Sequence, residues 1–367
     1  MSDFNYDDFD DENEDSFSDS FTEWDDARKL GTSPGYFDAD ELCDIIDTYL
    51  SLDQVSESKE VVEYALRVHP HNEDMLYDIM QMQNDYELWD DLFRLTEQYK
   101  TLDKVWVNAH KVTALLHLGM EENAFSLFRK AKTKYTKSRK SLTIFYLAMS
   151  ESLYDVDLYE AAIDVINEIL PKLEDNPNED LLWIQLQCYQ ATNNKEEVIR
   201  LCEQLVKISP MDADVWSRIG LVYKEIGEKE KSIDAFEFAA SLGKREPIDI
   251  LNLIYSYKEN GNLLKALEKA DDYLERSPND YIINLLAANL CMEIEDWEKA
   301  LKYADKAISI DASNDFLYLY KSRCYIRLGE IKKAINTLEE GIRNSKDISN
   351  ELKQELQILR GEYPEYF

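Results

Sequence analysis

Histidine and cysteine are the residues of this chain best able to hold a metal or act as nucleophiles, and their placement argues against both roles. His110 and His117 lie seven residues apart. On a helix rising about 1.5 Å per residue they cannot share one ion. His69 and His71 flank Pro70 in a turn between two periodic segments, where ordinary surface histidines occur. The five cysteines (Cys43, Cys188, Cys202, Cys291 and Cys324) form no CxxC pair. Their odd number argues against a disulfide framework and for a reducing compartment. No HExxH, glycine-rich phosphate loop or serine nucleophile elbow occurs. With 75 Asp and Glu residues, neighbouring carboxylates arise by chance and carry no case for acid–base catalysis. The residues therefore predict a protein that is not an enzyme and uses neither metal nor cofactor.

The charge balance narrows the partner instead. A formal net charge of −34 repels phosphate backbones and anionic lipid headgroups. Nucleic acid and membrane are thus poor partners, and a protein or peptide, possibly a basic one, is the better expectation. The first residues lack the cationic start and apolar stretch of a signal peptide, and no apolar run approaches the roughly 20 residues that span a bilayer. The sequence reads as cytoplasmic. Apolar residues make up 44% of the chain, enough for a continuous core, while only 10 Gly and 8 Pro argue against a loop-rich fold.

The elements that position any binding residue are set by a repeat. Lys333-Ala334-Ile335, Lys299-Ala300-Leu301, Lys265-Ala266-Leu267 and Lys231-Ser232-Ile233 recur every 34 residues. A fixed period of this length means stacked supersecondary units, each touching its neighbours, and such an array offers a surface rather than an enclosed pocket. The clearest unit reads Trp216-x2-Ile219-Gly220-x2-Tyr223, then Gly227 at a turn, then Ser232-x3-Phe236-x2-Ala239. Positions 4, 7, 8 and 11 fall on one stripe of a first helix, and positions 20, 24 and 27 on one stripe of a second. Small residues let the two helices approach; proline at position 32, as at Pro70, Pro210 and Pro278, stops the second.

This pattern resembles the tetratricopeptide repeat (TPR), W-x2-L-G-x2-Y followed by A-x3-F. Units starting at 179, 213, 247, 281 and 315 share the register, and the first unit repeats it with Leu42, Ile46, Tyr49, Val62, Ala65 and Pro70. Spacing loosens upstream: Ala162 lies 36 residues before Val198, and Ala124 lies 38 before Ala162. The stretch 73–104 keeps helical periodicity (Leu76, Met80, Leu92) without the small residues. Cys202 and Cys291 fall at packing positions. The resemblance covers about 39 to 360 and implies an all-α, right-handed superhelical solenoid of antiparallel helix pairs, about nine units plus a C-terminal capping helix with Leu352, Leu356 and Leu359.

The resemblance further implies a concave face lined by the first helices at positions 2, 5, 6, 9, 12 and 13. The third unit places Trp106, Ala109, His110, Thr113, Leu116 and His117 there, and the fifth includes Trp183 and Gln187. The sixth includes Arg218, the eighth Asn289, and the ninth Phe316, Tyr320 and Arg323. One subclass of the family grips the C-terminal carboxylate of chaperones with a Lys and Asn set across three units, and no three units here supply it. The groove implied is aromatic and aliphatic, suited to an extended or helical peptide.

Four segments follow. Residues 1–37 form an acidic, aromatic tail (Phe4, Tyr6, Phe9, Phe17, Phe21 and Trp24 among dense Asp and Glu) expected to be disordered. Irregular units occupy 38–178, regular units 179–348, and the capping helix and a short tail 349–367. The leading expectation is a protein–protein interaction scaffold that binds a partner in its groove. The alternative is a regulatory adaptor whose acidic tail binds a basic partner or masks the groove.

Overall fold

The computed structural model describes residues 18–173, 178–243, 247–344 and 350–366, and all regular structure among them is helical. A leading helix α1 (Asp19–Leu30) precedes α2 (Ala39–Ser51) and α3 (Val55–Val68), α4 (Glu73–Asp85) and α5 (Trp89–Gln98), then α6 (Val105–His117) and α7 (Glu121–Tyr135). There follow α8 (Arg139–Asp155) and α9 (Tyr159–Ile169), α10 (Glu179–Ala191) and α11 (Lys195–Ile208), then α12 (Ala213–Glu225) and α13 (Lys229–Ser241). The chain continues through α14 (Pro247–Glu259) and α15 (Leu263–Leu274), α16 (Tyr281–Glu293) and α17 (Trp297–Ile310), α18 (Asp315–Arg327) and α19 (Ile331–Asn344), and ends on α20 (Asn350–Glu362).

Two local devices write the repeat into the backbone. The first helices start on short polar caps: Asp38, Asn72, Ser138, Asn178, Asp212, Asp280 and Asn314 each accept from a backbone N–H of the opening turn. These bonds satisfy donors that a helix start otherwise leaves open. The same helices end on a residue in the left-handed region, at Asp53, Glu87, Gly119, Asp157, Asn193, Gly227, Gly261, Glu295 and Gly329. At each, the following amide bonds the carbonyl five residues back, as Gln54 does to Tyr49 (2.8 Å) and Asp296 to Cys291 (2.9 Å). This is the Schellman closure, which ends a helix and reverses the chain in a short turn. Among the described residues nine such turns mark nine repeats, including the one over 73–104 that lacks the small residues.

The chain falls into two compact units, 1–194 and 195–367. Within the first, one core joins α1 to α5 through Leu42, Ile46, Tyr49, Val61, Ile79 and Leu92, and another runs from α6 to α10 around Phe128, Phe145, Tyr146 and Ile166. In the second, the core around Leu253, Tyr257, Ala266, Ala287 and Cys291 is followed by one around Tyr318, Leu338 and Leu352. At Gly220 the paired helices come so close that an added Cβ would stand 2.8 Å from the ring of Phe236. The Ser232 hydroxyl also donates to the Gly220 carbonyl across that crossing (2.9 Å).

Residues 18–37 correct the expectation of a disordered tail. α1 is capped by Ser18 and buries Phe21 and Trp24, the latter only 4% exposed. Phe21 meets the ring of Tyr49 at 4.9 Å, and Trp24 meets Phe37 and Tyr64 edge-on at 5.7 and 5.0 Å. Asp25 accepts from the Tyr49 hydroxyl (2.8 Å) while pairing with Lys29 and Arg28. The acidic composition hid a one-sided helix whose aromatics cover the outer face of the first repeat. They pack into the core of the first repeat. The rest of the expected tail, 1–17, lies outside the described residues. At the other end α20 seats Leu352, Leu356 and Leu359 against α18 and α19, a cap with one polar face.

Candidate functional site

In the first unit the first helices of the second, third and fourth repeats, α4, α6 and α8, wall an open cavity of about 830 Å3. α4 contributes Tyr77, Gln81, Asn84 and Asp85, and α6 contributes Trp106, Ala109, His110, Thr113 and His117. α8 adds Ile144, Leu147, Ala148, Glu151, Ser152 and Asp155, with Glu87, Trp89 and Tyr159 at the rim. Five of the six positions assigned to the third unit reach the cavity; the sixth, Leu116, is buried in the core. Residues spaced three and four apart share one face of a helix, and the shared start of each repeat brings those faces together.

The wall is aromatic and acidic. Trp89 stacks on His117 (centroids 3.9 Å apart, 8° between planes), and Tyr77 touches Trp106 and His110 at 5.7 and 5.8 Å. Asp85, Glu87, Glu151, Asp155 and Asp157 supply carboxylates, and no lysine or arginine lines the cavity. The Nε2 of His117 lies 3.9 Å from Asp155. Burial pushes the His110 imidazole down to about 4, against the pull of Asp85, so it is neutral near pH 7. Burial likewise lowers His117, with Asp155 and Glu87 opposing. Loss of solvent raises the Glu151 carboxyl above the usual carboxylate range, and the charges of Asp155 and Asp180 add to the effect. Ser152 and Thr113 bind each other (2.9 Å) and lock α8 to α6.

The second unit carries two adjoining cavities. One of about 410 Å3 lies between Tyr255 and Lys258 of α14, Ile282, Leu285, Leu286 and Asn289 of α16, and Phe316 and Tyr320 of α18. The other, about 640 Å3, shares Asn289 and Tyr320 and is closed by Trp297, Arg323, Arg327 and Glu355. Between the two cavities Lys258 pairs with Glu293 and donates to Asn289 (both 2.6 Å), Arg323 pairs with Glu355 at 3.5 Å, and Arg327 lies over the Trp297 ring.

Of the nine residues the sequence assigned to partner binding, Trp106 and His110 line the first cavity, and Asn289, Phe316, Tyr320 and Arg323 gather in the second unit. Trp183 is buried, 5% exposed, with its indole N–H donated to Glu179 (3.2 Å). Gln187 is half-buried and Arg218 exposed, and neither lines these three cavities. Tyr77, Glu151 and Asp155 were missed because no groove positions were assigned to the second and fourth repeats. The helix caps Asn72 and Ser138, read as helix starts, carry that register.

Stacked antiparallel helix pairs with open cavities on their first helices define a helical repeat protein of the solenoid class. Profiles of the tetratricopeptide repeat match residues 213–242 and 251–315. The chain is a tetratricopeptide repeat protein. It is 28% identical over 145 residues to a TPR repeat-containing protein of Methanocaldococcus jannaschii, covering 36% of this chain and 25% of that one. It is 26% identical over 188 residues to BBSome complex member BBS4 of Bos taurus, covering 49% and 34%. These matches thus span about a third or less of the relatives' own length. Among solved structures, the C-terminal part of a TPR repeat-containing protein from Cytophaga hutchinsonii superposes with a TM-score of 0.52 at 17% identity, over 67% of this chain and 98% of that one. That likeness concerns the fold. No helix among the described residues is long and apolar enough to cross a membrane.

Proposed function

We propose that the chain is a non-catalytic scaffold that binds a protein or peptide through the first-helix faces of its repeats. The observation that carries this reading is the convergence of equivalent repeat positions on open, aromatic-walled cavities, at Trp106 and His110 in one unit and at Asn289, Phe316, Tyr320 and Arg323 in the other. Cavities of this size, walled by aromatic and polar side chains, suit short stretches of a peptide. Each side chain stands on a helix fixed by its neighbours, so the surface is preformed and little ordering is needed on binding. Of the remaining assigned residues, Gln187 and Arg218 would act on the same face of the intervening repeats, while the buried Trp183 would support that face from within. All five cysteines are free thiols, which suits work in the cytoplasm, away from nucleic acid and membrane.

Affinity capture with the intact chain tests the reading. Tyr320→Ala and Phe316→Ala remove groove side chains that are partly solvent-exposed, and Lys302→Ala on the outer face of α17 is the control. Loss of a captured partner with the first two and its retention with the third is the expected result. Retention with all three, the helical circular dichroism being unchanged, contradicts the groove assignment.

A further inference from the structure

The two units offer different chemistry to a partner, and that of the first is one-sided. None of its five cavity carboxylates meets a lysine or arginine within ion-pairing distance among the described residues, although the chain elsewhere pairs such groups repeatedly, as at Lys59–Asp91 (2.7 Å) and Lys258–Glu293 (2.6 Å). Asp85 is held only by the amides of Gln81 and Asn84, and Asp157 by the Tyr159 hydroxyl. A second observation is independent of these acids. His110 lines the same cavity, is only 9% exposed, and makes no hydrogen bond through its ring within the described residues. A buried imidazole normally finds a partner, so a donor and an acceptor stand unused in the wall. The aromatic rings complete the set, since the faces of Trp and Tyr attract cations and stack on guanidinium groups.

We infer that the cavity walled by α4, α6 and α8 takes a basic segment of a partner protein, with a lysine or arginine head among Asp85, Glu151 and Asp155 and its stem along Tyr77, Trp89 and Trp106. This rests on the reading of the chain as a groove-binding scaffold and specifies the chemistry of one of its grooves. A cation fits because uncompensated carboxylates gathered in one concavity repel each other, and a cationic side chain relieves that repulsion. The apolar stem of Lys or Arg lies well on aromatic walls while the head reaches the acids. The segment 1–17 of the same chain is a poor occupant, because its Asp and Glu would meet like charge.

The test is fluorescence anisotropy with the full chain and a short labelled peptide of alanines alternating with lysine and arginine, at physiological ionic strength. The double variant Glu151→Gln, Asp155→Asn is expected to weaken binding about tenfold or more, and Trp106→Leu several-fold. A charge-matched control, Glu121→Gln with Glu122→Gln on α7, is expected to bind like the parent chain. Equal weakening by both double variants would mean unspecific attraction to an acidic protein and would overturn the inference, as would an absence of binding. A synthetic peptide of residues 1–17 is expected not to compete; displacement by it would assign the groove to the chain's own start. If the basic peptide fails while Tyr320→Ala still abolishes partner capture, this inference falls and the scaffold reading stands.

Discussion

Acid should loosen the first unit through one side chain. His110 is buried in the cavity wall of α6, and its burial holds it neutral down to about pH 4, against an ordinary value of 6.5. The sign follows from linkage. Above pH 6.5 the ring is neutral in both states and contributes no pH dependence. Between 6.5 and about 4 the unfolded chain takes up a proton that the folded chain refuses, so stability falls with pH by about 1.4 kcal/mol per unit. Below about 4 both forms are protonated and the loss levels off. From pH 6.5 to 4.5 His110 therefore costs the fold up to about 3 kcal/mol. The perturbation is His110→Gln, which keeps a polar side chain of similar reach and does not titrate. Urea unfolding of both proteins at a series of pH values, followed by tryptophan fluorescence, measures the difference, because every other acid titrates alike in both. The parent chain should lose about 2–3 kcal/mol more than the variant over that interval. Parallel stability curves would refute the reasoning and mean that the ring is charged or solvated in the folded state.

Three further substitutions probe the architecture. Gly220→Ala places a Cβ 2.8 Å from the Phe236 ring; overpacking of about 1–3 kcal/mol outweighs about 1 kcal/mol of helix propensity, so the melting temperature should fall. Glu295→Gly relieves a left-handed residue (φ 63°), and calorimetry should show a gain of roughly 0.5–1 kcal/mol after the entropy cost of glycine. Trp24→Ala empties the contact of α1 with Phe37 and Tyr64; it should cost about 3–5 kcal/mol locally and speed amide exchange in α1 and α2 while leaving α16 to α19 unchanged.

Three of the regular repeats announce themselves because their turn slot holds glycine: Gly227, Gly261 and Gly329 sit 34 or 68 residues apart, beside small packing residues, while Asn193 and Glu295 fill the slot in the other two. The amino half has one such glycine, Gly119, and elsewhere uses Asp53, Glu87 and Asp157 in the same conformation. These last turns are therefore equivalent in space but silent to a reader searching for glycine. The N-caps at Asp38, Asn72 and Ser138 carry the same register and were legible in principle. α1 escaped because a dense acidic composition suggests a solvated chain, whereas burial depends on where the few aromatics fall; Phe21 and Trp24 lie three apart, on one helical face. At the repeat positions the register gives them, Trp106 and Tyr320 line open cavities. Trp183 shows the limit of that register: the same repeat position can turn a large ring inward when its neighbours leave room, and no one-dimensional pattern records that room.

The central claim, that partners bind on the first-helix faces, is tested most directly by site-specific photocross-linking. A photoreactive residue replaces Trp106 or Tyr320 on the groove side, or Arg129 or Lys302 on the exposed side of second helices. Adducts with a partner from positions 106 or 320 and none from 129 or 302 is the predicted outcome. Adducts from 129 and 302 alone would place binding on the outer face and contradict the account.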